Sequence, residues 1–280
     1  MNEKFSIPQA DRLVGKGPVK PMEHNEVGAS TDPEEILTLL FKESGTDVYK
    51  IELQKTEEDL ALIELAETAV RDYAAQYGRE SFVDITSDHI HFLPDGGVFE
   101  ITHGRLATGS HSTVLGEVLI DRRKDLETAI TLFHELWHTL GSYQAIQITT
   151  DQKLDTYRSG FSMNSRDGAI EYFHHFDEAL VGYMTQKFVN EKLAEASNFK
   201  NEITRLRDEN IALDTTRQRE LGDLWKLIDN LLEKNKDKFS KREEIMDLFV
   251  RAQVTGNVLP AARLIENTYG KGSFRKVSKF

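Results

Sequence analysis

Between Leu126 and Gln144 the chain reads LETAITLFHELWHTLGSYQ, which sets His134, Glu135 and His138 in an H-E-x-x-H pattern. Side chains four apart on a helix lie one turn above another on nearly the same face, so both imidazoles can reach a single ion. Glu135 follows the first of them and offers a carboxylate to hold a water on that ion and take its proton. Zinc lowers the pKa of such a water to near neutrality, giving a nucleophile for hydrolysis at ordinary pH. The competing reading is an amphipathic helix whose two histidines belong to a hydrogen-bonded core. Context favours the metal: the pattern follows a strand-like stretch, carries Phe133 and Trp137 for burial, and ends at Gly141.

A catalytic zinc usually takes three protein ligands and keeps one open position. Metzincins draw the third from a histidine six residues after the second, but Gln144 stands there in this chain. The segment GAIEYFHHFDEALVGYMTQ is the better source. On a helix, its Glu171, His174, His175 and Glu178 would share one face. A polar stripe of that kind needs partners when buried, either a metal or a core hydrogen-bond network.

HELWH followed by FDEALVGYMTQ resembles the gluzincin class of zinc metallopeptidases, over residues 80–190. The resemblance implies a zincin-like α+β fold and one zinc ion held by His134, His138 and Glu178. It also implies Glu135 as the catalytic base of a peptidase, expected to be an endopeptidase acting on proteins or peptides. Many gluzincins place an acidic residue four positions after the glutamate ligand to orient a ligand histidine. Gly182 occupies that position here, so orientation must come from Asp177, a backbone carbonyl or a residue of 142–166. In zincin-like folds the strand before the active-site helix borders the cleft and pairs with substrate. STVLGEVLID, 112–121, is the expected counterpart, with an ordinary interior strand as the other reading. Tyr157, Tyr172 and Tyr183 are the candidates for stabilising an oxyanion. A non-catalytic zinc-binding module, with the charged helices of 200–235 as its partner surface, is the alternative function.

Positioning such a site takes a folded core, and 280 residues suffice for one with an appendage. The net charge of −12 argues against nucleic-acid or anionic-membrane partners, which need positive charge. There is no cysteine, hence no disulfide or thiolate site, which fits a reducing compartment. The first thirty residues show no apolar signal core, and no run approaches the length of a membrane span. A soluble cytoplasmic protein is expected.

Residues 1–30, rich in proline and glycine, read as a mobile arm, or as a strap over the folded part that would occlude the cleft. Residues 31–197 read as the catalytic core and 198–280 as a helical lobe walling the cleft. Asp32 and Pro33 signal a helix start, VYKIEL (48–53) alternates like a strand, and Thr56 to Gly78 frames a helix. Between 81 and 121, FVDI, HIHFL, VFEIT and VLGEVLID read as strands of a mixed or antiparallel sheet. The active-site helix should run from 125 to 140 and end at a left-handed Gly141. A hairpin around 150–152 and a helix over 168–196, capped by Ser165 or Asp167, should follow. In the helical remainder, Leu221, Leu224, Ile228 and Leu231 mark an apolar stripe. Ser240 with Glu243 forms a capping box before Gly256, and Pro260 and Gly270 bound the next helix. Of the other histidines, His89 and His91 suit a surface or core edge, His103 and His111 turns, and His24 the arm.

Overall fold

The computed structural model describes residues 12–14 and 47–278, apart from 83–84, 103, 105, 149–153, 166, 168, 210 and 212–216. The architecture is mixed α+β with two small sheets. The helix expected from Asp32 and Pro33 lies outside the described residues, as do His24 and His103. Of the arm, Arg12–Val14 is described and forms strand β1.

Helix α1, Glu57–Gln76, starts where Thr56 and Asp59 exchange hydrogen bonds: Asp59 N donates to the Thr56 hydroxyl at 3.2 Å, and Thr56 N to the Asp59 carboxylate at 2.7 Å. It closes before Gly78, whose φ of +96° suits glycine. Asp59 also pairs with Arg122, tying the start of α1 to the segment leading into the helix that begins at Asp125.

One sheet has the order β2–β4–β3, with β2 Ile90–Leu93, β3 Gly109–Ser112 and β4 Glu117–Asp121. β2 runs parallel to β4, and β3 antiparallel to it. β4 is therefore the central strand and cannot accept a substrate strand; β3, for which no strand was expected, forms the edge. Two other expectations fail here. VYKIEL closes on itself, with Ile51 N and Glu52 N both donating to Val48 O, and leaves a single strand-like bond from Leu53 N to Phe92 O. VFEIT is not a strand but lies in a short helix, α2, Gly97–Ile101. The Asp121 carboxylate accepts from Gly96 N and Val98 N at that helix's start, so a side chain from β4 captures the backbone that alternation would assign to a strand. No strand forms at FVDI among its described residues.

Helix α3, Asp125–Leu136, is buried on every face, as a helix between layers must be. Phe133 stacks on Phe188 at 4.2 Å and meets Tyr73 at 6.3 Å. Truncating so buried a ring costs about 3–5 kcal/mol. Over Trp137–Gly141 the helix widens: Ser142 N donates to Trp137 O, five residues back. Such π turns recur at functional sites, and His138 sits in this one. Gly141 does not adopt the left-handed conformation expected of it. Glycine is needed because a Cβ there would stand 2.8 Å from the Trp137 ring.

The second sheet has the order β1–β5–β6–β7–β8, comprising β5 Gln144–Ile148, β6 Leu154–Ser159, β7 Ser162–Asn164 and β8 Glu171–Tyr172. β5 and β6 make the expected hairpin, and β1 adds in parallel beside β5. The helix expected over 168–196 starts later. Ser165 and Asp167 cap no helix; they close a turn between β7 and β8, where Ile170 N donates to Ser165 Oγ and Ala169 N to Asp167. Phe173 then takes a left-handed φ of +61°, and α4 spans His174–Phe188. A second widened turn, Val189–Leu193, separates it from α5, Ser197–Asp208.

The remaining helices are α6 Gln218–Lys234, α7 Arg242–Thr255, α8 Leu259–Tyr269 and α9 Ser273–Val277. Leu221, Leu224, Ile228 and Leu231 are all buried, so the stripe read from α6 is its core face. The capping box expected of Ser240 and Glu243 does not form; Ser240 donates from N and Oγ to the Glu244 carboxylate instead. Gly256 and Gly270, with positive φ, end α7 and α8 as expected. One apolar cluster runs from Ile63 to Val277 and joins α1, α3, α4 and the C-terminal helices. No helix among the described residues is long and apolar enough to cross a membrane.

Candidate metal centre

α3 and α4 cross so that their ligand-type side chains meet in a buried pocket. His134 Nε2 lies 3.3 Å from Glu178 Oε2, and His138 Nε2 lies 3.4 Å from Glu178 Oε1. One donor atom from each of the three residues falls within 4.8 Å of the others, and all three side chains are buried. Donors about 2.0–2.1 Å from a tetrahedral zinc stand roughly 3.4 Å apart. Each Nε2 stands at about that distance from one of the two Glu178 oxygens, the three donor groups lie within 4.8 Å, and two imidazoles with a carboxylate are a zinc-type donor set. The residues fit the ion.

Asp177 answers the question raised by Gly182. It is 1% exposed, and its Oδ2 faces His138 Nδ1 at 3.5 Å, so a buried carboxylate stands beside this histidine one residue before Glu178. Its other oxygen accepts from Phe161 N at 2.7 Å and from Gln253 Nε2 at 2.8 Å. Gln253 in turn accepts from the Trp137 indole at 3.0 Å, closing a buried chain from α4 through Gln253, on the helix Arg242–Thr255, to the widened turn. Gly160 makes this possible. Its φ is +58°, and a Cβ there would stand 2.2 Å from Asp177 Oδ1. Gln144 has a supporting role: its amide donates to the His138 carbonyl and to Ser159 Oγ, while Thr113 donates to its oxygen.

Glu135, also buried, points to the opposite side of α3 from the apolar core and meets β3. His111 Nδ1 lies 3.0 Å from Glu135 Oε2, and the His111 ring stacks on His138 with centroids 4.5 Å apart. The turn-like role expected for His111 is therefore wrong. No spacing rule links a histidine on β3 to a motif on α3, so only the strand packing exposes it. Arg217, at the head of α6, donates from Nε to Glu178 Oε2 at 2.7 Å, and its own backbone is left-handed at φ +61°.

The electrostatics follow from burial with opposite charges. Burial alone would depress His138, but the Glu178 carboxylate, with Asp177, carries it well above the ordinary imidazole value. Burial pushes Glu178 up, and the charges of His138 and His134 more than reverse this, holding it well below the usual carboxylate range. Glu135 is likewise pushed up by burial and brought below its ordinary value by the bond to His111 and the charge of His134. Burial and the nearby His138 depress His111, against the opposing pull of the Glu135 carboxylate that its Nδ1 faces. Three carboxylates, Glu135, Asp177 and Glu178, converge on the pocket, and buried anions need compensating positive charge, part of which Arg217 supplies to Glu178.

His174 and His175 stand outside the cluster, with 42% and 58% of their side chains exposed. His174 pairs with Glu171 at 3.1 Å, and His175 faces Glu220 at 3.8 Å. Because Glu171 lies in β8, the four residues do not share one helix face; of that stripe, Glu178 alone joins the metal cluster. Tyr183 meets Trp225 edge-on in the α4–α6 interface, while Tyr157 and Tyr172 lie in β6 and β8. His91 is 1% exposed and faces Glu52 at 3.1 Å, a core position rather than a surface one. Comparison with family models, with curated proteins and with solved structures finds no match.

Proposed function

We propose that the chain is a zinc-dependent metallopeptidase of zincin-like fold, with His134, His138 and Glu178 holding the ion and Glu135 as general base and acid. The observation that carries this reading is the meeting of two Nε2 atoms with the Glu178 carboxylate at 3.3 and 3.4 Å, with Glu135 reached through His111, which stacks on His138. Zinc bound there would supply a Lewis acid that polarises a scissile carbonyl and brings the pKa of water near neutrality. Glu135 takes the proton of the attacking water and passes it to the departing amine. Asp177 fixes the ring of His138, and Arg217 holds one oxygen of Glu178 in place. The edge that β3 leaves unpaired among the described residues accepts an extended peptide by main-chain pairing, which suits an endopeptidase because it leaves sequence choice to side-chain pockets.

The test is digestion of a peptide library by the zinc-loaded chain, beside its Glu135→Gln variant. The wild type should cleave, and the variant should keep its zinc while losing about 10²–10⁴-fold in rate. A zinc-loaded wild type that cleaves nothing would favour the non-catalytic binding module instead.

A further inference from the structure

β3 does more than border the pocket. Gly109 and His111, two residues apart, point to the same face of the strand, toward α3. At Gly109 the absence of a side chain is essential: a Cβ would stand 2.8 Å from both Cγ and Oε1 of Glu135 and 2.6 Å from Thr131 Cγ2. His111 reaches the other oxygen, Oε2, with Nδ1 at 3.0 Å, and lies against His138 with ring planes 12° apart. One strand thus packs its backbone closely against one carboxylate oxygen and grips the second. A glutamate side chain left free in the pocket would sample several rotamers, and ordering it costs up to about 2 kcal/mol. A displacement of the acting group by about 1 Å can cost on the order of 10²-fold in rate.

We infer that His111 is the positioning residue for Glu135 in the proposed hydrolysis, a role that rests on that reading. Its Nδ1–H holds Oε2, and the close approach that Gly109 permits seats Oε1 against β3, so the carboxylate that takes the proton of the attacking water is held in one orientation. The water oxygen bonds to the scissile carbon and the carbon–nitrogen bond breaks. The proton lost by the water passes through Glu135 to the leaving nitrogen, and His111 keeps its own proton throughout.

Two substitutions and one spectrum test this on the full chain. His111→Phe keeps a flat ring against His138 without the donor, and His111→Asn restores an N–H close to the place of Nδ1. With zinc content unchanged, His111→Phe should lower kcat by about 10–100-fold while KM stays within about threefold, and His111→Asn should recover part of the loss. Independently of turnover, long-range proton–nitrogen spectra should place the His111 proton on Nδ1, with a resonance that moves in Glu135→Ala. A proton on Nε2, or a His111→Phe chain with kcat within twofold of wild type, overturns the inference. If the spectra show the Nδ1 proton and its response to Glu135→Ala but the wild type cleaves no peptide, the clamp is upheld and the peptidase reading falls.

Discussion

Two groups of histidines and glutamates at near-helical spacing sit within a few turns of each other and meet opposite fates. His134, His138 and Glu178 are buried and drawn together from two helices. Glu171, His174 and His175 have the same chemistry and lie just before Glu178, yet they are half exposed and pair only with neighbours and with Glu220. Residue type and spacing are alike in the two groups. What differs is convergence: the first group is met by Asp177, His111, Gln144 and Arg217 from other elements, and these partners leave each ligand few alternatives. A metal site is the place where several elements constrain one set of donors, and helical periodicity supplies only part of that.

The contrast breaks most sharply on metal binding. Glu178→Gln and His138→Ala should each weaken zinc binding by more than the roughly 10–100-fold that loss of an outer partner costs. His174→Ala and His175→Ala should leave the affinity unchanged. Competition with a chromophoric chelator measures all four, and equal losses in both groups would erase the distinction.

Asp177→Asn removes the negative charge opposite His138 while keeping an oxygen for Phe161 N and Gln253. Zinc affinity should fall by about 10–100-fold with little change in fold. Unchanged affinity would mean that His138 is oriented by the Gln144 contact to its carbonyl alone. Gly160→Ala sharpens the same point from the backbone. It places a Cβ against Asp177 in a left-handed conformation, and denaturant unfolding should show a loss of at least about 1–2 kcal/mol, with weaker zinc binding beside it.

The smallest effect belongs to the exposed group. The bond to Glu171 raises His174 above the ordinary imidazole value, against partial burial. A pKa raised in the folded chain gives stability that is complete below the unfolded value and lost as pH rises through the folded one. Substituting His174 with Ala should therefore cost about 0.5 kcal/mol or less in mildly acidic solution, and the difference should vanish as pH climbs past the folded pKa. Stability curves of the two chains across that range measure it.

Much of the centre can be read from the chain because its parts are local. His134, Glu135 and His138 lie on one helix, and the Asp177-Glu178 pair lies on the next. Capping chemistry at Thr56 and Asp59 and the glycine stops at 78, 256 and 270 are equally local, and those helix limits agree with expectation. What escaped depends on tertiary contact. His111 reaches Glu135 only because β3 packs on α3 through a glycine. VFEIT became helix because Asp121, some twenty residues away, accepts its first amide protons. The start of α4 shifted because Ser165 and Asp167, which have the residue types of helix caps, satisfy a turn between strands instead. Short apolar alternation and cap residues are ambiguous until such partners are known.

X-ray absorption at the zinc edge of the purified chain addresses the shared grip on one ion most directly. One zinc per chain is expected, with nitrogen and oxygen neighbours at about 2.0–2.2 Å and the outer-shell scattering of two imidazoles. A chain that holds no stoichiometric zinc, or one whose zinc shows no imidazole scattering, would contradict it.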